Sequence, residues 1–556
     1  MEEERDTAPP PSAEQEEAIA ALCRSLDERK GAFILKGVTG SGKTEVYLRA
    51  MSHCLTQGRT AIMLVPEISL TPQTVERFRA RFGEGVAVLH SRLSIGERYD
   101  EWRRIRLGQV QVVVGARSAV FAPLQDIGLI VIDEEHESTY KSDKTPRYHA
   151  MDVAQWRCEK SGGVLLLGSA TPALETWHRA QNGEWGILEL TRRINGKPLP
   201  EVQIIDMRQE LAAGNRSIFS SELYAAMKEC YFAGRQMILF LNRRGYATFV
   251  SCRSCGEALT CPHCDVSMTY HKMDHTVRCH YCDYQMKVPS VCPQCGQATL
   301  KHFGAGTQQV EEQVAKYLPG IRITRMDYDT TRGKDGHYRL LNEFSEKRSD
   351  VLIGTQMIAK GLDFPEVTLV GVIAADAALH VPDFRSAERT FQLLTQVAGR
   401  AGRDKDAGRV IIQTYSPQHP SIQLSAQHDF EGFYRYEIAN REESLFPPFA
   451  DFVRFLFIGE NDEEVAAQCR SFSDELRPYI EAAMHEAGME ISALLYSSAH
   501  AAPLHWLREE YRHQIILKLR RTEHTPQLFQ AMAWFARTKR EQGCFAVMEI
   551  NPQSMN

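Results

Sequence analysis

The chain holds 556 residues, 43% of them apolar and 24% charged, with a formal net charge of −6. At about 100–200 residues per domain this length provides for three or four separate cores, and the slight acidity argues against a protein that coats nucleic acid by charge alone, though not against a local basic groove. No apolar run approaches the ~18 residues of a membrane helix, and the start Met1-Glu-Glu-Glu-Arg-Asp-Thr-Ala-Pro-Pro-Pro is acidic where a signal peptide would be basic, so the expectation is a frayed cytosolic terminus and no membrane association.

From about Glu14 to Thr191, short apolar runs alternate with helical stretches. Ala32–Lys36, Ala61–Val65, Val110–Val114, Leu129–Ile132 and Val164–Leu167 read as buried parallel strands of an α/β lobe. Between the first strand and the helical run Glu45–Leu55 lies the turn Gly37-Val-Thr-Gly40-Ser-Gly42-Lys43-Thr44. Its glycines let backbone N–H groups face phosphate oxygens, and the helix start adds partial positive charge. Lys43 is expected to neutralise the β and γ phosphates of ATP, and Thr44 to ligate Mg²⁺.

Asp133 and Glu134 leave the strand Leu129–Ile132 at its C-terminal edge, where α/β sheets bind ligands. Asp133 is expected to hold Mg²⁺ through water and Glu134 to orient and deprotonate the attacking water. The following loop, Ser138–His149, carries Tyr140, Lys141, Lys144, Arg147 and Tyr148, stacking faces beside cations that suit single-stranded DNA. Next comes Gly168-Ser-Ala-Thr-Pro172.

A second set of strands, Met237–Leu241, Ile321–Thr324, Val351–Ile353, Val367–Ile373 and Arg409–Tyr415, predicts a second α/β lobe, with a cleft between the two. Its segment Gln396-Val-Ala-Gly-Arg400-Ala-Gly-Arg403 puts two arginines three apart, on one face if the stretch is helical. These are the expected arginine fingers, planar cations suited to charge spread over a γ-phosphate. Past Leu445-Phe-Pro-Pro-Phe449 the order is strand Asp451–Ile458, helix near Glu463–Glu486, strands Ile491–Ser497 and His513–Arg520, helix near Pro526–Arg540 and strand Phe545–Asn551. That βαββαβ order predicts a ferredoxin-like domain.

Eight of the fourteen cysteines form four Cys-x-x-Cys knuckles, Cys252/Cys255, Cys261/Cys264, Cys279/Cys282 and Cys292/Cys295, inserted after the second lobe's first strand. Eight thiolates suffice for two closed all-sulfur tetrahedra, so two structural Zn²⁺ ions are expected. The knuckles can pair three ways; joining the first two would leave only a five-residue link, whereas a nested pairing, 261/264 with 279/282 inside 252/255 with 292/295, lets a ribbon fold back. The other six cysteines are scattered, and no disulfide framework is expected.

Together these motifs resemble the superfamily 2 helicases and, within them, the PriA family of primosomal replication-restart helicases. The resemblance also rests on Leu64-Val-Pro-Glu-Ile-Ser-Leu-Thr-Pro-Gln73, Gly115-Ala-Arg-Ser-Ala119, Leu241-Asn-Arg-Arg-Gly245, Gly304-Ala-Gly-Thr-Gln308, Gly354-Thr-Gln-Met-Ile-Ala-Lys-Gly-Leu-Asp-Phe-Pro365 and Pro382-Asp-Phe-Arg-Ser-Ala-Glu-Arg-Thr-Phe391, and covers nearly the whole chain. It implies two RecA-like parallel-sheet lobes, at 1–195 and at 196–250 with 301–444, a two-zinc insertion at 251–300 and a C-terminal α+β domain at 445–556.

The resemblance further implies ATP-driven 3′-to-5′ unwinding of forked and single-stranded DNA at stalled forks by a monomer of the cytoplasm and nucleoid. Single-strand-binding protein and the primosome proteins that load the replicative helicase are the implied partners. It places Gln15 at the adenine edge, Thr355, Gln356, Gly361 and Asp363 at DNA and nucleotide, and Gly168–Pro172 in the coupling of the lobes; the nested zinc pairing agrees with the family pattern. Family members also carry a DNA 3′-end-binding domain and a winged helix ahead of the motor. Here the phosphate loop begins at Gly37, so either the start is truncated or both modules are absent. Ser498-Ala-His-Ala-Ala-Pro-Leu504 and Glu549-Ile-Asn551-Pro552 depart from the family form. Two other readings stay open: a zinc-bearing DNA- and partner-binding adaptor with little unwinding, and an RNA-directed motor, since phosphate contacts alone do not separate DNA from RNA.

Overall fold

The computed structural model describes residues 10–241, 249–263, 266–271, 275–279, 281–302, 306–327, 330, 336–355, 358, 364, 366–381, 383–402, 408–541 and 543–553. The expected Arg403, Gln356, Gly361, Asp363 and Cys264 lie outside these residues. The chain divides into two compact units. One comprises residues 1–244, 305–375 and 390–430; the other comprises 245–304, 376–389 and 431–556.

The first unit is built on two parallel sheets. Seven strands form the first, in spatial order Val86–Leu89, Val112–Gly115, Thr60–Leu64, Ile127–Asp133, Val164–Ser169, Ala32–Gly37 and Gly186–Leu190. The central strands read as unbroken apolar runs because helices cover both faces of a parallel sheet, and Ile34, Leu35, Ile130, Val131, Leu166 and Leu167 are all buried. The second sheet runs Ile323–Met326, Val351–Gly354, Gln236–Phe240, Val367–Val372, Arg409–Thr414 and Glu201–Asp206, again parallel.

Three strands went unforeseen in the sequence: Val86–Leu89, Gly186–Leu190 and Glu201–Asp206. All three are sheet edges, four to six residues long, and the last two carry charged or partly exposed residues, so neither length nor apolar run marks them. Among the fully buried polar side chains described in this unit, Arg59 is the largest. The guanidinium of Arg59 is fully buried and donates to Asp126 Oδ1 (3.1 Å) and to the carbonyls of Gly162, Ile127 and Ser161 at 2.7–2.8 Å, tying the ends of three connections together.

In the second unit a four-stranded antiparallel sheet has the order Leu494–Leu507, Glu510–Arg520, Ala450–Gly459, Ala546–Ile550, with helices Asp462–Glu486 and Thr525–Glu541 between strands. This is the expected ferredoxin-like arrangement. The strand Ala450–Gly459 is buried on both faces. Its odd positions Val453, Phe455 and Phe457 join Phe472, Leu476 and Phe535 under the helices, while Phe452 on the opposite face joins Tyr281, Phe384, Phe446 and Ile516 in a core shared with the cysteine-rich segment.

The hairpin is longer than expected, with strands reaching Leu507 and starting at Glu510. Pairing slips between Ala501↔His513 and Trp506↔Tyr511, so a bulge containing Pro503 absorbs the extra residues. Among the described residues no helix is long and apolar enough to cross a membrane.

Candidate active site

At the end of the strand Ala32–Gly37 the chain turns through Gly40 (φ +84°) and Gly42 (φ +80°) into the helix Lys43–Thr56. Positive φ at both is what glycine permits. A Cβ on Gly42 would stand 2.4 Å from Gln15 Nε2, and one on Gly37 would stand 2.6 Å from Ser41 Oγ and 3.0 Å from Lys43 Cγ. The three glycines therefore keep the loop tight and its interior clear for phosphate.

Lys43 Nζ donates to the Gly37 carbonyl at 2.9 Å, folding the ammonium back over the loop. Ser41 Oγ is buried without a hydrogen-bond partner, a polar atom that phosphate oxygen would satisfy. Gln15 is buried, its Nε2 donating to the carbonyls of Ser41 (3.1 Å) and Gly42 (3.3 Å) and its Oε1 accepting from Ser12 N. Its amide thus braces the loop.

Asp133 and Glu134 stand at the C-terminal end of the strand Ile127–Asp133, beside the loop. Asp133 Oδ1 accepts from Tyr47 Oη at 2.9 Å, and its carbonyl accepts from Tyr140 Oη at 2.6 Å. Burial first, and then the Glu134 charge, raise the Asp133 pKa to about 6 against the pull of Lys43. Two adjacent carboxylates beside the single Lys43 ammonium are a pair whose charge a divalent cation would offset. Glu134 holds φ at +47°, a sparsely populated conformation for a side-chain-bearing residue. Gly168 is glycine because a Cβ there would meet Tyr47 Oη at 1.7 Å.

Two residues that the motif reading left without roles, His136 and Gln396, join the two sheets through Ser169. His136 Nδ1 lies 2.7 Å from Ser169 Oγ, which also accepts from Thr171 N, and His136 Nε2 lies 2.8 Å from Gln396 Nε2. One tautomer satisfies all of these contacts: Nδ1–H donates to Ser169 and Nε2 accepts from Gln396. The signal was present in the sequence, since each residue belongs to a motif already noticed. Nearby, Gly399 approaches the phosphate loop so closely that a Cβ would lie 2.8 Å from Thr39 Oγ1, and Arg193 donates to the Gly402 carbonyl at 3.4 Å.

The helix carrying Gln396 ends at Ala398. Arg400 therefore lies in a turn just past the helix, its N–H donating to the Val397 carbonyl, so the helical face expected to carry it stops short of it.

The loop 138–149 departs from the sequence reading in one part. Tyr140 is 1% exposed and spends its hydroxyl on the Leu64 and Asp133 carbonyls, so it is a fixture of the active site rather than a stacking surface. Tyr148 is half-buried, edge-on to Phe121 at 4.8 Å with the Arg117 guanidinium 6.0 Å from its ring.

The cysteine segment is built on short strands, Val250–Cys252, Thr269–His271, Thr276–Arg278, Gln285–Lys287 and Leu300–His302, three residues each. Its sulfurs converge in two groups. Cys252, Cys255, Cys292 and Cys295 form one, and Cys261, Cys279 and Cys282 the other, each with all sulfurs within 4.8 Å. Sulfur separations of 3.6, 3.7 and 3.5 Å for 252–295, 255–292 and 261–282 match the ~3.8 Å edge of a tetrahedron with ~2.3 Å Zn–S bonds. Although burial opposes it, hydrogen bonds from Thr299 and from backbone N–H groups lower the Cys252 pKa to about 6, towards the thiolate that metals bind.

Known proteins share these features. A DEAD/DEAH box helicase model matches residues 12–180, a PriA DNA helicase Cys-rich region model matches 261–287, and a helicase conserved C-terminal domain model matches 301–405. The replication restart protein PriA of Bacillus subtilis is 48% identical over 548 residues, 98% of this chain and 67% of that protein. Its counterpart in Synechocystis is 52% identical over 441 residues, 78% of this chain and 53% of that protein. The chain thus spans between about half and two thirds of these relatives' lengths. Among solved structures, RecG bound to a three-way DNA junction aligns at 16% identity with a TM-score of 0.45, over 78% of this chain and 50% of that one, too loosely to carry an argument.

Proposed function

The chain belongs to the PriA family, and on that premise we propose that it is an ATP-dependent DNA helicase that moves 3′ to 5′ and acts in replication restart. The observation that carries this reading is the chain of contacts from the carboxylate loop through His136 to Ser169 and across to Gln396. It links the nucleotide site of one sheet to a residue that follows the other, as a motor requires.

The phosphate loop residues Gly37, Gly40, Gly42, Lys43 and Thr44 would cradle ATP, whose hydrolysis supplies the driving free energy. Lys43 neutralises phosphate charge, and Thr44 with Asp133 holds Mg²⁺. Glu134 orients a water and accepts its proton. Arg400 and Arg403 would stabilise charge on the γ-phosphate, Gly361 and Asp363 would also contribute to nucleotide binding, and Gln15 would carry any adenine contact through the loop it braces. Cys252, Cys255, Cys292 and Cys295 hold one structural Zn²⁺, and Cys261, Cys264, Cys279 and Cys282 a second. The protein works as a monomer on forked and single-stranded DNA in the cytoplasm, with single-strand-binding protein and the helicase-loading proteins of the primosome as its partners.

The test is ATP hydrolysis with and without single-stranded DNA, paired with unwinding of a forked duplex, for wild type and Lys43→Ala. DNA-stimulated hydrolysis and unwinding that both vanish in the variant support the reading. Hydrolysis without unwinding favours an adaptor, and stimulation by RNA alone rejects a DNA motor.

A further inference from the structure

Away from both sites described so far, the ferredoxin-like sheet gathers two imidazoles and a carboxylate. Asp462 is the first residue of the helix Asp462–Glu486, His505 lies near the end of the strand Leu494–Leu507, and His513 lies on its partner Glu510–Arg520. His505 Nε2 and His513 Nε2 each stand 2.7 Å from the same oxygen, Asp462 Oδ1, and the rings meet edge to face with centroids 5.2 Å apart. The three ligand atoms lie within 4.8 Å of one another.

This convergence depends on an irregularity of the hairpin. Between Ala501↔His513 and Trp506↔Tyr511 the strand Leu494–Leu507 carries more residues than its partner, and the bulge sets His505 beside His513. Bulges re-aim side chains in this way. Placed at the bulge, His505 remains 40% exposed and Asp462 42%, so the oxygen and nitrogen atoms are reachable from water, while His513 at 13% supplies a rigid inner ligand.

We propose that Asp462, His505 and His513 form a third metal site that takes Zn²⁺, with water completing a tetrahedron. Two imidazoles with one carboxylate suit a borderline transition metal; hard cations such as Mg²⁺ and Ca²⁺ choose oxygen donors. A tetrahedron with bonds of about 2.0–2.1 Å has edges of about 3.3 Å, so binding asks the two 2.7 Å contacts to open by only about 0.6 Å. Each ring releases its Nε2 lone pair by carrying its proton on Nδ1 instead. The ion clips the hairpin to the start of the long helix. With one water-filled position and partial exposure, it exchanges far faster than ions enclosed by four sulfurs.

The test measures zinc in the full chain, equilibrated without nucleotide in micromolar free Zn²⁺ after the cysteine centres have been filled. Wild type is expected to hold one equivalent more than the His505→Gln/His513→Gln double variant and than Asp462→Asn, to release it first to a mild chelator, and to melt higher with added Zn²⁺. Neither variant should show that zinc-dependent rise in melting temperature. If the double variant folds poorly, His505→Gln alone, at a partly exposed ligand, gives the same comparison. Equal zinc content and equal melting response in wild type and variants would overturn the proposal and leave two histidines hydrogen-bonded to one aspartate.

Discussion

The phosphate loop and the cysteine segment are both ligand sites, but different forces shape them. Backbone makes the first. Gly37, Gly40 and Gly42 turn the chain between a strand whose Ile34 and Leu35 are buried and a helix, and the sheet's apolar core holds both ends in place. Side chains make the second, on strands three residues long, where Cys252, Cys255, Cys292 and Cys295 meet. A site made of backbone inherits the stability of its sheet, whereas one made of thiols depends on the ion that joins them.

That contrast can be broken by removing metal. Structural zinc contributes about 10–16 kcal/mol to the folding of small cysteine modules, so strong chelation or Cys292→Ser should expose the segment 252–295 to protease and thiol reagents. ATP binding at Lys43 should persist. Loss of both together would mean that the two regions fold as one. The opposite perturbation is Arg59→Met, which strips four hydrogen bonds from the core of the first sheet. Each buried carbonyl left without a donor costs about 1–3 kcal/mol, read as a lower melting temperature with the cysteine thiols still protected.

Gln396→Ala cuts the contact with His136 while touching neither the glycines nor the carboxylates. Loss of a buried hydrogen bond of about 1–3 kcal/mol should lower DNA-stimulated hydrolysis some tenfold with nucleotide affinity unchanged. A proportional loss of affinity would place Gln396 in binding rather than in coupling.

The nucleotide site should also respond to pH. With the Asp133 pKa raised to about 6, the carboxyl is protonated below that value in the folded protein and would have to lose its proton to hold the proposed Mg²⁺. Mg²⁺ affinity should fall by up to about tenfold per unit as pH drops below about 6, and Asp133→Asn should abolish the dependence. The smallest effect is expected from Tyr148→Ala, which removes a half-buried ring beside Arg117. A reduction of a few-fold in DNA stimulation, at about 1–3 kcal/mol per stacked base, supports a stacking role, and unchanged stimulation rejects it.

How much of this was legible follows the same division. Alternating apolar runs announced the inner strands of both sheets, because a parallel strand covered on two faces has no polar residue to spare. The edge strands Val86–Leu89, Gly186–Leu190 and Glu201–Asp206 gave no such sign, being short or half exposed. Among the site residues, Lys43 and Asp133 were readable from local spacing alone, whereas the part played by Tyr47 required a partner 86 positions away.

The segment containing Phe384 shows what spacing could not say. In sequence it was only part of a resemblance; in the fold its ring stacks on Phe446 at 4.8 Å, and its backbone N–H donates to Tyr281 Oη. The sequence by itself determined the glycine turn, the carboxylates at a strand end and the paired knuckles, since each is a property of a few consecutive residues. Tertiary structure alone decided that Tyr140 is buried rather than available for stacking, that the helix stops before Arg400, and that His136 meets Gln396 across 260 positions of chain. Such contacts depend on how separate elements close upon one another, and no local pattern encodes that.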